Sequence, residues 1–522
     1  KPTVREKPQD YGEPVMKFRN RVQTVPLILF LFLFASFAYF NHYINGWNVN
    51  TRLALTYAIV EQGSLSIDTY HDSATLPYLR TNDKAFFNGH FYCDKSPGLS
   101  FAAVPFYALL WHAKMEWGIG SHLSHIRWVY WTCYLLRVFT VTLPAALLGV
   151  LLWAIARRLG VSSRLAAFLA TGLIWGTMLG SYATLFYPYL PCACCLMAAY
   201  YLLLDLRQKM EKSPADSPPG WRLFGIGLLV GCGWFLEFTA GLAGLALSAY
   251  ALWTCRRTPL VLWKYGVGGL IPVCIFYTYA WSIFGEFAIP YKYEFDDFFR
   301  EQMSQGFNGI HWPRLAVLYY ITVHPYRGLF FYSPFLLLAF PGLARFFSRT
   351  SSASIFRPDL GLSAFVIVGY FAFASGYYMW WGGQAAGARN LCPAISFLVI
   401  PLSLFLAPQT RLKEVVFGIL LVFSLILSFM ITAQNPQMKT MVPEKELLNV
   451  RIQDNLPSPA LCSAYPAFLA GYVADNLCSE LLRVQAGWSL APLGFLTLLA
   501  LIGIVLGGRP RPETENESET PG

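Results

Sequence analysis

Residues 81–97 read TNDKAFFNGHFYCDKSP. This polar stretch lies between apolar segments and leads directly into one of them, the run that begins at Leu99. It places two acid–base pairs, Asp83-Lys84 and Asp94-Lys95, among aromatic side chains. Charged groups kept beside an apolar segment, where a membrane would begin, indicate chemistry on a lipid-linked substrate.

The composition of the whole chain supports a membrane boundary at this point. Of 522 residues, 55% are hydrophobic and only 13% are charged, and the mean hydropathy is +0.43. Soluble domains have about 25% charged residues. The net charge of +10 comes from Lys and Arg in short clusters between apolar runs, which is typical of membrane orientation and not of nucleic-acid binding. We therefore predict an all-α polytopic membrane protein whose partner is the lipid bilayer.

Basic connections between the apolar runs predict about twelve membrane-spanning helices with both termini inside. No small-residue cleavage site follows the first run, residues 25–40, so this helix is predicted to be retained. Residues 99–111 contain Pro105 and fall short of the roughly 20 residues that a span needs, which predicts a re-entrant or interfacial segment. Residues 133–155 are long enough and end at Arg157 and Arg158, a cytoplasmic signature.

This topology divides the chain into three parts and places three long connections outside. The parts are a cytoplasmic N-terminal segment (1–24), a membrane domain (25–507) and a disordered cytoplasmic tail (508–522). The outer loops are residues 42–131, 284–328 and 434–487. Within the first loop, residues 51–62 have apolar side chains at helical spacing, which predicts an amphipathic helix on the membrane surface. In the second, EFDDFFREQ (294–302) predicts an interfacial helix, with acceptor binding as the alternative.

The sequence leaves open whether two cysteines form a disulfide and whether the protein uses a metal. Cys462 and Cys478 share the third outer loop and either form a disulfide there or remain free. The sequence has no compact cluster of metal ligands, so no metal site and no cofactor are predicted, and use of a divalent metal is left open.

Several motifs occur together in chain order. They are NVNTRLALTYAIVEQGSLSID (48–68), FFNGHFYCDKSPGLSFAAVPFYAL (86–109), Arg137, YRGL (326–329) with Ser333-Pro334, and WWGGQAAGARNLCPAISFL (380–398). Together they resemble the GT-C-type glycosyltransferases that use polyprenyl-phosphate sugars. This group includes family 39-like enzymes, lipid A aminoarabinose transferases and protein O-mannosyltransferases.

The resemblance implies a GT-C-like fold and a membrane glycosyltransferase, either hexosyl or pentosyl. Such an enzyme moves a sugar from a polyprenyl-phosphate donor to a hydroxyl of a lipid, glycan or protein, with inversion. The resemblance also implies that this glycosylation belongs to the cell envelope and takes place at the extracytoplasmic face of a bacterial inner membrane. The alternatives are a transporter or flippase of lipid-linked sugars, and a noncatalytic member of the family.

The resemblance fails at two acidic positions. Asn48 or Asn50 stands where the first loop usually has an acid, and Tyr187 and Tyr189 replace the acid of another outer connection. The base for the acceptor hydroxyl must then come from the remaining acids, which we rank Asp94, Asp68, Asp83. A departing phosphate needs cations, and the candidates are Lys95, Arg389, Arg327 and Arg137. Further substrate contacts are predicted for Asn48, Asn50, Arg52, Lys84, Tyr187, Tyr189 and Glu237.

Overall fold

The computed structural model describes residues 24–42, 46–72, 79–213, 217–348 and 355–507. The predictions for the N-terminal segment up to residue 23 and for the tail from residue 508 lie outside the described residues.

Apolar helices, long and short, form more than half of the described chain. Seven have the length and composition of membrane spans: His125–Arg158, Tyr189–Lys212, Pro259–Phe284, Arg357–Gly376, Arg389–Leu406, Arg411–Gln434 and Ala486–Gly507. Shorter apolar helices are Thr24–Ala38, Ser163–Trp175, Gly220–Leu236, Phe238–Thr254, Pro334–Phe347 and Ala460–Leu469. The first five of these shorter helices and the seven long ones lie at the positions of the twelve predicted spans, and the seven long ones have spanning length. The polytopic all-α fold is thus confirmed.

The helices Gly220–Leu236 and Trp263–Phe284 touch along their backbones. A Cβ added at Gly227 would collide with the Tyr265 carbonyl oxygen, and one at Gly268 would collide with that of Phe224. Small residues allow such close approach, and close approach is a main source of helix association in membranes. These glycines therefore allow the backbones of the two helices to pack directly against each other.

Replacing Gly227 by leucine should separate this helix pair and destabilise the protein. The new side chain meets backbone, which cannot rotate away, so we expect a loss of about 1–3 kcal/mol. The change is measured as a lower apparent Tm of the purified protein in detergent. Gly225→Leu is the matched control, because nothing lies within 4 Å of a Cβ at Gly225. Equal Tm values for the two variants would contradict this packing.

The first outer loop folds into a compact cap. Its two strands, Ala85–Phe87 and His90–Tyr92, form an antiparallel hairpin closed by Asn88-Gly89, both with positive φ. Asn-Gly is the preferred pair for such a tight turn, because its backbone twist matches that of the strands. This hairpin is the one β-sheet in the described part of the chain.

Two helices of this loop differ from their predictions. The helix predicted at 51–62 begins at Trp47, is α-helical to Tyr57 and continues to Gln62. Every residue from Val49 to Tyr57 is buried, so the helix is enclosed by protein and does not lie on a membrane surface. The short run at 99–111 belongs to a 20-residue helix, Gly98–Trp117, with Pro105 inside it. This helix is not among the seven with spanning length and composition.

The second outer loop contacts the first, and the third contacts the segment around Trp380. In the second, residue 294 bridges to Ala85 of the hairpin, and the helices Asp297–Met303 and Leu315–Thr322 follow. In the third, which contains the helices Glu444–Leu447 and Leu477–Leu482, the Leu447 carbonyl accepts a hydrogen bond of 2.8 Å from Trp380 Nε1. Cys462 and Cys478 of this loop are both free thiols.

A buried ion pair fixes three helices far from these loops. Asp359, at the start of the helix Arg357–Gly376, accepts hydrogen bonds from Arg207 at 2.8 Å, Tyr200 at 2.9 Å and Tyr250 at 2.8 Å. The opposite end of that helix reaches the outer loops. We assign the Asp359 network to holding the bundle together.

Candidate active site

A cavity of about 660 Å³ lies beneath the three outer loops. Eight of the predicted site residues line it: Asn48, Arg52, Asp83, Lys95, Tyr187, Tyr189, Glu237 and Arg389. They come from the first loop, from the connection before the helix Tyr189–Lys212, from the end of the helix Gly220–Leu236, and from the glycine-rich segment before residue 389. Folding thus brings together residues from four distant parts of the chain.

Lys95 forms the centre of a buried charge cluster. Its Nζ lies 3.3 Å from Asp83 Oδ2, pairs with Asp94 Oδ2 and stands 5.3 Å from the centre of the Tyr291 ring. The Ser96 hydroxyl donates to the Phe235 carbonyl, which anchors this turn to the end of a membrane helix. Asp83 faces the cavity, whereas Asp94 lies behind Lys95, fully buried and away from the cavity wall.

Burial and charge shift the protonation equilibria of this cluster in opposite directions. Burial raises the pKa of Asp94, although the neighbouring Lys95 acts against that shift. Burial alone would lower the pKa of Lys95, but Asp83 and Asp94 more than reverse the effect and raise it well above its ordinary value. Lys95 therefore stays cationic, and much of its charge is neutralised by its two aspartate partners.

Two other cations in the cavity have no carboxylate partner. Arg389 Nη1 donates to the Tyr187 hydroxyl at 3.2 Å, and its Nε has no hydrogen bond. Arg52 Nη1 donates to the Asn48 carbonyl at 2.9 Å and to the Asn48 side chain, and its Nε is also unpaired. Within the described ranges neither guanidinium forms an ion pair. A pair of uncompensated guanidinium groups facing one cavity suits a bound phosphate.

Three predicted residues lie in the first loop but away from the cavity. Asp68 accepts hydrogen bonds from Phe91 N at 2.7 Å and from His90 at 2.6 Å on the outer surface of the hairpin. Burial would raise the pKa of Asp68, but these hydrogen bonds lower it. Lys84 contacts His71 Nδ1 at 2.9 Å, and Asn50 donates to the Arg80 carbonyl at 2.8 Å. All three stabilise the cap.

Two predicted phosphate ligands bind backbone carbonyls. Arg137 donates to Phe37 O at 3.0 Å and to Phe40 O at 2.6 Å, and it does not line the cavity. Arg327 donates to Gly383 O at 3.1 Å and to Ala385 O, in the segment that leads to Arg389. Their guanidinium groups are thus used to connect elements of the fold, and Arg327 positions the segment that carries Arg389.

Replacing Arg327 by lysine should loosen this segment. One ammonium group cannot reproduce a planar fork that serves two carbonyls, so we expect a stability loss of about 1–3 kcal/mol. Thermal unfolding in detergent measures it. Arg300→Lys is the control, because Arg300 is an exposed cation on a helix of the second outer loop. Unfolding at the wild-type temperature by both variants would refute the positioning role of Arg327.

Sequence reasoning missed two acids of the cavity wall, Glu294 and Glu444. Burial, followed by the charges of Asp94 and Asp83, raises the pKa of Glu294 to about 10, and burial also raises that of Glu444. Glu294 begins the stretch EFDDFFREQ, where the acids at 296 and 297 suggested a surface helix. The usable sequence signal was Asp296, a residue type that caps helices, because a helix starting after it at Asp297 leaves Glu294 outside.

The described residues contain no group of three or more His, Cys, Asp or Glu side chains placed to hold a metal ion. Two of the carboxylates, Asp83 and Asp94, share Lys95.

Comparison with known proteins establishes the fold. The crystal structure of ArnT from Cupriavidus metallidurans in the apo state superposes with a TM-score of 0.50 at 16% identity, over 92% of this chain and 75% of that one. The chain has a GT-C-type fold. The GT-C fold agrees with the helical membrane architecture of the described residues.

Two further structures of lower similarity were found. ArnT bound to undecaprenyl phosphate gives a TM-score of 0.47 at 17% identity, over 92% of this chain and 74% of that one. The oligosaccharyltransferase AglB from Archaeoglobus fulgidus, in complex with an inhibitory peptide and a dolichol-phosphate, gives 0.38 at 11%, over 93% and 55%. No family model and no curated protein sequence matches the chain.

Proposed function

We propose that this protein is a membrane glycosyltransferase that uses a polyprenyl-phosphate sugar as donor. One observation carries the proposal: two guanidinium groups without carboxylate partners, Arg389 and Arg52, face the same cavity as the carboxylate of Asp83. That set supplies an anion site and a base within one enclosed space. The GT-C fold agrees with this chemistry.

The chemistry needs few groups, because a phosphate is already a good leaving group. Asp83 takes the proton of the acceptor hydroxyl, whose oxygen forms a bond to the anomeric carbon from the face opposite the phosphate. The bond from that carbon to the phosphate oxygen breaks, and both electrons leave with the phosphate. Arg389 and Arg52 stabilise the added negative charge, and the configuration of the sugar is inverted.

The apolar part of the cavity suits the polyprenyl chain of the donor. Trp234, Leu242 and Phe373 line it, and Leu245 on the same wall is 69% exposed on the surface of an apolar helix. A hydrocarbon chain lying there would extend from the phosphate site toward the bilayer. This placement supports a lipid-linked donor over a soluble nucleotide sugar.

Three finer assignments complete the proposal. The cavity lies beneath loops that the basic connections place outside, so we assign the reaction to the extracytoplasmic face of a bacterial inner membrane. The acceptor is a hydroxyl of a cell-envelope lipid, glycan or protein. The transferred sugar is a hexose or a pentose.

A transfer assay tests this function directly. Purified protein is incubated with undecaprenyl-phosphate sugars carrying a radiolabelled sugar and with extracts of envelope lipids, glycans and proteins. Release of undecaprenyl phosphate with label in an acceptor supports the enzyme, and a parallel arm with a chelator shows whether a divalent metal is required. Transbilayer movement of an intact donor would instead support a flippase, and binding without turnover would support a noncatalytic protein.

A further inference from the structure

A segment of the second outer loop closes one side of the cluster around Lys95. Residue 294 forms an antiparallel bridge with Ala85, and Phe295 N donates to Lys84 O at 2.9 Å. The Tyr293 ring packs on Phe87 with 4.8 Å between ring centres. These contacts fix Glu294 against the hairpin that leads into Asp94 and Lys95.

The charges around Glu294 do not balance. Asp94, Asp83 and Lys95 act on it electrostatically, Tyr291 of its own segment adjoins Lys95, and Arg52 acts on Asp94. Lys95 already pairs with both aspartates. No cation in the described part of the chain lies within ion-pair distance of Glu294. The ammonium group of Lys95 is thus the one cation at ion-pair distance from Asp83 and Asp94, and Glu294 has none among the described residues.

The oxygen atoms show how the imbalance is resolved. Glu294 is only 2% exposed, and both of its carboxyl oxygens are buried without a hydrogen bond, as is Asp94 Oδ1. Two carboxylates cannot bond to each other, because neither has a donor. One proton on either group creates a donor and removes one of the two repelling charges. Asp94 pairs with Lys95, which favours its ionised form, whereas Glu294 has no cation at ion-pair distance among the described residues, so the proton belongs on Glu294, in line with the raised pKa of that group.

We propose that Glu294 is a positioning residue of the active site: as a neutral carboxylic acid it donates a hydrogen bond to Asp94 and thereby holds the Asp94–Lys95 pair. The inference rests on the proposed function. With the proton in place, Asp83, Asp94 and Lys95 carry one net negative charge, whereas an ionised Glu294 would add a second beside the phosphate site. The proton thus keeps the cavity suitable for an anionic donor.

The sign of the pH dependence follows from this protonation. For an acid whose pKa is raised on folding, the stabilising contribution is fully present below its ordinary pKa and is lost as pH rises through the raised value. The hydrogen bond is therefore present at neutral pH and disappears as the pH rises toward about 10. Activity and donor binding should both fall on this alkaline side.

Variants of Glu294 test the role. Glu294→Gln keeps a donor in the same place without a titrating group, so its transfer rate at neutral pH should stay within about threefold of wild type and its alkaline decline should be lost or shifted. Glu294→Ala has no donor, and its rate should fall about tenfold or more. Glu301→Gln, an exposed residue of the same loop, is the control and should retain the wild-type profile.

Infrared difference spectroscopy of the same proteins detects protonation of the Glu294 carboxyl group and does not require turnover. The wild type should show the C=O band of a protonated carboxylic acid at neutral pH, lost on alkaline titration and absent from Glu294→Gln. An unchanged band in Glu294→Gln, or identical pH profiles for wild type and Glu294→Gln, would overturn the proposal. If the protein transfers no sugar at all, the proposed function fails while the infrared band still decides the state of Glu294.

Discussion

Asp83→Asn is expected to reduce sugar transfer by about 10²–10⁴-fold, the usual contribution of a general base. Among the three aspartates predicted as bases, Asp83 alone lines the cavity, and its Oδ2 lies 3.3 Å from Lys95 Nζ. Asparagine keeps the size of the side chain but accepts no proton from the acceptor. The loss should appear in single-turnover rates measured with labelled undecaprenyl-phosphate sugar in detergent.

The comparison variants separate a base from a structural acid. Asp68→Asn should stay within about twofold of wild type, because Asp68 lies on the outer surface of the hairpin and surface changes usually have small effects. Asp94→Asn weakens the pair with Lys95 and should lower the apparent Tm. If Asp94→Asn folds normally yet abolishes transfer while Asp83→Asn does not, the base is Asp94. A dominant loss in Glu237→Gln would assign the role to Glu237, another acid of the cavity wall.

Arg389→Ala is expected to lower the transfer rate by about 10²–10³-fold, as found when one preorganised donor to a developing anion is removed. Arg389 has no carboxylate partner among the described residues, and its Nε is unpaired, so its charge is available to a phosphate. Lysine at this position supplies a point charge but no bidentate fork, so Arg389→Lys should fall between wild type and alanine.

Three measurements make this expectation specific. The KM for the donor and the affinity for undecaprenyl phosphate should both weaken in Arg389→Ala, and added guanidinium ion should restore part of the rate. Arg300→Ala, which removes an exposed cation from the second outer loop, should leave both unchanged. Normal donor affinity in Arg389→Ala would place the phosphate elsewhere, with Arg52 as the next residue to test.

Several features could be predicted from sequence because they depend on local patterns. Long apolar runs with basic ends predicted the membrane helices, since hydrocarbon thickness fixes how many residues must be apolar. The motif order predicted the GT-C fold. The pair Asn88-Gly89 also favours a tight hairpin turn, which the prediction from the charged residues at 84 and 94 did not include.

Other features could not be read from the chain, because they depend on which groups meet in space. Asp94 and Lys95 are adjacent in sequence, but only packing against Phe235 decides that Lys95 reaches the cavity while Asp94 lies behind it. Arg327 and Arg389 both lie within motifs that resemble those of the family. The difference is that Arg327 finds two carbonyls to bind and Arg389 does not.

The sequence alone therefore determined the membrane class and the helical architecture, and placed the stretch 81–97 in a polar loop between apolar helices, because hydropathy and charge act residue by residue along the chain. The tertiary structure decided that Asp83 of the first Asp-Lys pair and Lys95 of the second line the cavity, and it brought Glu294 to them from a loop about two hundred residues away. Burial and the mutual distances of charges create a site, and both exist only once the outer loops have packed together.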